Sequence, residues 1–273
     1  MDEIALVALD LDGTLLDSSG EVPGRVRDAI EAAVEVGIEV VAATGRPPSV
    51  AARVLEQAGF PRWAICSNGS VTIDLQRNRI HRADWVEEAL LRQELPIIRE
   101  RYPRLRFAVE LEASVLHEKG FHLLVHESPE SGEVDDVLAV AWPERVHKVL
   151  VFDGTDGVVG SKAAVAIKTM VEGLLDNQLE VTVSGLPFAE LAPMGVSKAS
   201  ALEALGADLG LGADHVLAMG DNENDHSMLR WARIGVAMAN ATPGTVEVAD
   251  RIAASNDDDG VALILEELIM VRP

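Results

Sequence analysis

Asp10 and Asp12 stand two residues apart in Asp10-Leu11-Asp12-Gly13-Thr14-Leu15, directly after the apolar run Ile4-Ala5-Leu6-Val7-Ala8-Leu9. Carboxylates this close resist double ionisation unless something cationic holds them. Mg²⁺ is the expected partner, a hard cation that takes oxygen ligands, commonly one or two carboxylates together with phosphate. The competing reading of an isolated Asp-x-Asp is two acids capping a turn. Four more clusters weigh against it. Thr44-Gly45-Arg46 follows the apolar run 38–43, and Ser67-Asn68-Gly69 follows Trp63–Cys66. Taken singly, the first is an ordinary turn, and the second reads first as a hairpin-type Asn-Gly turn. Lys198 opens a helical stretch, where it opposes the helix dipole. An anion shared between its ammonium and the free N–H groups of the helix start would account for it, and a solvated surface lysine is the alternative. Gly220-Asp221-Asn222-Glu223-Asn224-Asp225 follows Val216–Met219. Asp221 there is a natural third carboxylate for Mg²⁺, and this many polar ligand-type residues exceed what a helix cap needs.

For these groups to meet, each must sit at the C-terminal end of a parallel strand, where open α/β sheets bind ligands. The sequence supplies such elements. Strand 4–10 leads to a helix over about 23–36, with Pro23 in its first turn and Gly37 as its stop. Strand 38–43, a helix over 47–58 and strand 63–66 follow, a β-α-β-α-β order that predicts a doubly wound parallel sheet. The segments 71–75 and 79–82 read as a hairpin. Between about 83 and 187 the character changes: a helix over 85–101, strands 105–111 and 121–125, a short helix near 134–141, strand 146–152, a helix over 163–175 and strand 179–183. This block reads as an inserted α+β module, with 1–82 and 188–273 forming one core. From Gly195 the rhythm resumes with a helix over 198–209, strand 216–219, a helix near 225–231, strand 234–238, a helix after Pro243 and a last helix over 260–270. Asp257-Asp258-Asp259, just before that helix, reads as an N-terminal cap favoured by the dipole rather than as a metal site.

The 273 residues carry 23 basic against 45 acidic side chains, a formal charge of −22, and 48% are hydrophobic. So negative a surface repels nucleic acid and anionic membranes, which makes both poor partners. A phosphate site needs a local concentration of metal, Lys, Arg and backbone N–H instead. The lone Cys66 lies in an apolar run and reads as a buried core residue, so no disulfide forms within the chain, in keeping with a reducing compartment. Asp2 and Glu3 occupy the place of a signal peptide's basic region, and no apolar run reaches membrane-spanning length. The expectation is a cytoplasmic protein. His117, His122 and His126 cluster in the insertion, but their separations fix no shared face and they read as ordinary histidines.

Taken together, Asp10-x-Asp12-x-Thr14, Thr44-Gly45-Arg46, Lys198 and Gly220-Asp221-x-x-Asn224-Asp225 resemble the four motifs of the haloacid dehalogenase-like superfamily, in that family's order. Glu190 to Leu202, Ser67-Asn68-Gly69 and Ser255-Asn256-Asp257-x-x-Gly260-Val261 resemble its Cof-type subgroup, which carries a C2 cap where this chain has its insertion. The resemblance implies a Rossmann-like core with an α/β cap. It implies Asp10 as the nucleophile that forms an aspartyl-phosphate and Asp12 as general acid and base, its backbone carbonyl a further metal ligand. Thr44 and the backbone near Leu11 would hold the phosphoryl group, with Gly45, Arg46, Asn68 and Gly69 beside it. Lys198 would neutralise charge, Asp10, Asp12 and Asp221 would hold Mg²⁺, and Asn224 and Asp225 would orient Lys198 and metal-bound water. The implied activity is a Mg²⁺-dependent phosphatase of small phosphorylated metabolites, sugar phosphates above all. A phosphotransferase or mutase using the same intermediate, or a non-catalytic module on the same fold, are the alternatives. The substrate itself, selected by cap residues, is not legible.

Overall fold

Strand β1 (Leu6–Leu9) is buried at all four residues, as a strand covered on both faces should be. In the computed structural model, which describes residues 3–112, 114–121, 131–154, 161–175 and 178–272, it begins an alternation of strands and helices. Helix α1 (Gly24–Glu35) follows Pro23 and buries Val26, Ala29, Ile30 and Ala33, the three-and-four spacing of a core-facing stripe. It ends at Gly37, whose φ of 82° suits a residue without a Cβ. Then come β2 (Glu39–Ala43), α2 (Pro48–Gln57) and β3 (Trp63–Cys66). A tight turn over Ser67–Gly69 leads into β4 (Val71–Asp74), antiparallel to β3, and β5 (Arg79–Ala83) closes this segment. The Asn-Gly turn and the strands around it are thus where the sequence places them. Cys66 is buried.

The chain divides into two compact units, Met1–Arg82 with Ser197–Pro273, and Ala83–Val196. The second unit holds α3 (Glu88–Arg101), β6 (Leu105–Leu111), β7 (Val115–Glu118), β8 (Ser131–Val134), β9 (Val146–Asp153), α4 (Ser161–Glu172), β10 (Leu179–Thr182) and β11 (Phe188–Pro193). Its sheet runs β10-β11-β9-β6-β7-β8 and is antiparallel save for the β7–β8 pair. Leu91, Leu95 and Ile98 of α3 and Ile167 and Val171 of α4 pack on one sheet face with Phe107, Val109, Val149 and Val151. The alternate residues Ala108, Leu150, Phe152 and Phe188 form a second cluster with Phe121.

Two expectations fail in this unit. No helix covers 134–141: β8 ends at Val134 and a turn follows, in which the Asp136 carboxylate accepts the Leu138 N–H at 2.9 Å. That local bond offers the backbone an alternative to a helix. The return to the first unit also falls at Ser197 rather than at 188, because β11 pairs antiparallel with both β9 and β10. Of the segment 121–125 only Phe121 is described, and His122 and His126 lie outside the described residues. His117 is a buried histidine bonded to the Glu118 carbonyl and tilted against Phe121.

The first unit resumes with α5 (Lys198–Leu209), β12 (Val216–Gly220), α6 (His226–Trp231), β13 (Ile234–Ala237), α7 (Pro243–Val248), β14 (Arg251–Ile252) and α8 (Gly260–Met270). Its sheet runs β14-β13-β12-β1-β2-β3-β4-β5, and the six strands from β14 to β3 are parallel. Chain order runs outward from β1 in one direction and from β12 in the other. The boundary between β1 and β12 is therefore the topological switch point, the place where open α/β sheets form a ligand crevice. Asp257–Asp259 make no side-chain cap on α8; Asp257 accepts the Ser18 N–H and Asp259 pairs with Arg25. Among the described residues no helix is long and apolar enough to cross a membrane.

Candidate active site

Register alone brings two of the carboxylates together. Leu9 lies opposite Met219 in the β1–β12 ladder, so Asp10 and Asp221 leave adjacent parallel strands at the same end. Leu9 also faces Ala42 of β2, which places Thr44 at that end too. Lys198 arrives from the first turn of α5, which Ser197 and Ser200 fix through a reciprocal capping box. Its ammonium donates to Asp10 Oδ1 at 2.5 Å and to Asp225 Oδ1 at 2.6 Å, all three groups being buried. Asp225 spends its other oxygen on the N–H groups of Asp221 and Asn222, at 2.9 and 3.0 Å. It thus ties the lysine to the loop that carries Asp221.

The charges in this cluster do not balance. Oxygens of Asp10, Asp221 and Asp225 lie within 4.8 Å of one another, with a single ammonium among them. Burial, then the charge of Asp225, raise the Asp10 carboxyl well above the carboxylate range in spite of Lys198. The same two causes push Asp221 up to about 7. Lys198, although burial opposes its charge, is held protonated above the usual lysine range by Asp10 and Asp225. Asp221 Oδ1 is buried without a hydrogen-bond partner, which is costly for a carboxylate oxygen. An excess of oxygen ligands, an orphaned lone pair and carboxyls driven toward protonation are the donor set that a hard divalent cation fits. Gly13 makes room for this arrangement: a Cβ there would stand 2.5 Å from Asp221 Oδ2, and its φ is 82°.

Asp12 behaves differently. Its carboxylate is more than half exposed and receives Arg46 through two parallel bonds, Nε at 2.9 Å and Nη2 at 2.6 Å. Arg46 in turn donates its backbone N–H to Thr44 Oγ1 at 3.1 Å. Asn68 donates its N–H to the Thr44 carbonyl and accepts the Asn224 amide on its side chain, both at 3.0 Å. Gly69 lies against the Ser197 carbonyl. Every site residue expected from the sequence belongs to the first unit, at the same sheet end or in the turn and helix start bonded to it.

Three contributors have no role in the sequence reading, although Thr14 and Asn256 stand in its motifs. Thr14 Oγ1 is buried without a partner beside Asp12. Asn240 donates to the Gly13 carbonyl at 2.8 Å, and Asn256 donates to the Leu16 carbonyl while its N–H reaches Asn240. These two asparagines hold the loop that follows Asp10. Asn240 comes shortly after β13, the position that drew attention to Asp221 after β12, so its place was a usable signal.

Comparison with known proteins agrees with this geometry. Residues 7–265 match the family model described as haloacid dehalogenase-like hydrolase. The chain is 30% identical over 273 residues to the 5-amino-6-(5-phospho-D-ribitylamino)uracil phosphatase YcsE of Bacillus subtilis, covering 98% of this chain and 97% of that one. An Arabidopsis thaliana protein named "Endoribonuclease YBEY, chloroplastic" is 27% identical over 95% of this chain, which spans only 46% of that protein's length. Among solved structures, SMU.1108c of Streptococcus mutans shares the fold with a TM-score of 0.86 at 24% identity, over 98% of this chain and 99% of that one. With its family model running through nearly the whole sequence and a phosphatase as a full-length relative, the chain belongs to the haloacid dehalogenase-like hydrolases and is a phosphatase of that family.

Proposed function

We propose that this chain is a Mg²⁺-dependent phosphatase of small phosphorylated metabolites, sugar phosphates above all, working through an aspartyl-phosphate on Asp10. The observation that carries the reading is the cluster at the switch point: Asp10, Asp221 and Asp225 around the buried Lys198, with one Asp221 oxygen unpartnered. Asp10, Asp221 and the backbone carbonyl of Asp12 would hold Mg²⁺, which when bound supplies positive charge to both the carboxylates and a phosphoryl group. Asp10 attacks phosphorus through a carboxylate oxygen and the bond to the leaving oxygen breaks. Asp12 gives that oxygen a proton and later takes one from the water that cleaves the acyl phosphate. Lys198 offsets the charge of the phosphoryl oxygens, which Thr44 and the N–H groups near Leu11 and Gly45 receive. Arg46 keeps Asp12 in place until a substrate competes for its guanidinium, and Asn68 and Gly69 complete this side of the site.

The size of the substrate rests on the family, and its chemistry on the YcsE relative, whose name gives a 5-phospho-D-ribityl group. The inserted unit is read as a cap that selects among such molecules, and the cytoplasm as the compartment. A phosphate-release screen over phosphorylated sugars, polyols and nucleotides, with Mg²⁺ and with chelator, tests the proposal. Turnover strongest on sugar phosphates and dependent on Mg²⁺ is expected, and release from none of the panel would refute it. Replacing the insertion by a short Gly/Ser linker should level the preference among natural substrates more than it lowers hydrolysis of an aryl phosphate.

A further inference from the structure

Ser67, Asn68 and Gly69 carry positive φ angles in succession, 52°, 55° and 111°. Side chains rarely adopt this region, and such residues persist where their surroundings over-determine them. Here the surroundings are the loops of the site. Ser67 donates its N–H to the Arg46 carbonyl at 2.9 Å and Asn68 to the Thr44 carbonyl at 3.0 Å, so the turn is bound to the Thr44–Arg46 segment. Gly69 is pressed on the residue before Lys198: a Cβ there would stand 2.2 Å from the Ser197 carbonyl oxygen. The Asn68 side chain reaches the third loop, its Oδ1 accepting Asn224 Nδ2 at 3.0 Å with both residues nearly buried. Asn224 adjoins Asp225, which holds Lys198 and the Asp221 backbone. Gly45 is shaped to this contact, since a Cβ on it would lie 3.0 Å from Asn68 Oδ1.

We propose that Asn68 is a positioning residue: its side-chain amide fixes Asn224, and with it the Asp221–Asp225 loop, against the Thr44–Arg46 segment, so that the carboxylates and Lys198 keep the spacing a divalent cation requires. The assignment gives Asn68 a task beyond its place in a turn and beyond contact with substrate. A residue confined to turn formation would affect folding; one confined to substrate contact would affect KM. A positioning residue changes cation affinity in the absence of substrate, and kcat more than KM, while folding holds. Changes to groups that orient ligands cost about 10- to 100-fold in metal affinity or activity.

The test uses the full chain with Asn68→Gly, which removes the amide and relieves the left-handed backbone, with Asn224→Ala, and with the two combined. Mg²⁺ binding is measured by calorimetry without substrate, beside the thermal midpoint and the kcat and KM for an aryl phosphate. Asn68→Gly should bind Mg²⁺ about tenfold more weakly and lower kcat by about 10- to 100-fold, a larger change than any in KM, with the thermal midpoint close to wild type. The double variant should lose no more than the worse single one, because both changes break the same contact. Wild-type Mg²⁺ affinity in Asn68→Gly, or losses that multiply in the double variant, would overturn the proposal. If Asn68→Gly does not fold, Asn224→Ala decides, because it removes the other half of the same contact: a matching loss of affinity supports the role and wild-type affinity overturns it. Only the kcat arm rests on the phosphatase reading. A wild type that binds Mg²⁺ but releases no phosphate would end that reading while calorimetry still judged Asn68.

Discussion

Each unit of this molecule buries one lysine between two carboxylates, and the two clusters differ in what they leave over. In the second unit Lys148 donates to Glu190 Oε2 at 3.0 Å and lies 3.6 Å from Glu110 Oε2, the three residues sitting on neighbouring strands β9, β11 and β6. Ser184 donates to the other Glu190 oxygen. Burial opposes the Lys148 charge, yet Glu190 and Glu110 raise it above the ordinary lysine range. In the first unit Lys198 has a like pair of partners in Asp10 and Asp225, but a third, half-buried carboxylate, Asp221, has no cation of its own. One cluster carries a single excess negative charge and the other two. A buried lysine between acids is therefore no mark of a site. Carboxylates in excess, one oxygen without a partner and acids pushed toward protonation are.

Breaking the first cluster should have the largest effect. Asp10→Asn keeps the size and the contact with Lys198 but removes the proposed nucleophile. Turnover should fall by about 10⁴-fold or more with the far-ultraviolet spectrum unchanged, and activity within tenfold of wild type would refute the assignment. Chelation comes next. EDTA should take phosphate release to background, Mg²⁺ should restore it, and Ca²⁺ should inhibit, because its longer bonds and larger ligand number misplace Asp10. Full activity in chelator would leave the excess carboxylates without a purpose.

The contrast between the clusters also marks what the sequence could reveal. Strand-end residues were legible because a parallel strand announces itself as a short apolar run and its ligands follow at once; Asp10, Thr44 and Asp221 all fall into place by register. Lys198 was legible because a cation at a helix start needs an explanation. The antiparallel second sheet announced itself less well. Phe188–Pro193 runs straight into the Gly195–Lys198 motif, so the sequence places a strand of the second sheet with the core. The turn at 135–139 hid behind helix-compatible residues, since one Asp136 side-chain bond decided it. Glu110, Lys148 and Glu190 meet only through strand pairing across long stretches of chain, which no local pattern encodes. Asn68 was visible as a turn; its bond to Asn224 was not, because it joins residues of two separate loops.

Matched substitutions sharpen the contrast. Lys198→Met should lower turnover by about 10²- to 10³-fold, the scale of losing one charge-stabilising donor. Lys148→Met should leave hydrolysis of an aryl phosphate near wild type while destabilising the chain by about 3–5 kcal/mol, since it strands two buried carboxylates. Denaturant titration beside kinetics separates the outcomes. A Lys148→Met protein as stable as wild type but inactive would reverse the roles assigned to the two clusters.

The smallest effect is a dependence on pH, and its sign follows from the acids that Lys198 leaves uncompensated. Asp221 has an ordinary value of 3.8 and stands at about 7 in the folded chain without metal, and Asp10 moves in the same direction. The folded state then binds these protons more tightly than the unfolded chain does. Their contribution to stability is fully present below about pH 4 and is lost as pH rises through about 7. Carboxyls that hydrogen bonds hold low, such as Asp17 with Ser19, have finished titrating below this window and add no slope of their own. The metal-free protein should therefore lose a few degrees of thermal midpoint between pH 5 and pH 8, beyond any change that the histidines cause, at about 2–4 °C per kcal/mol for a chain near this size. Asp221→Asn separates the two sources, because it removes its own share of the slope and leaves the histidines in place. Mg²⁺ acts in the opposite sense: it competes with those protons, so the rise in midpoint that it gives should be larger at pH 8 than at pH 5.5. Equal slopes in wild type and Asp221→Asn, or a Mg²⁺ effect that grows as pH falls, would show that the carboxylates of the first cluster are already balanced without a cation.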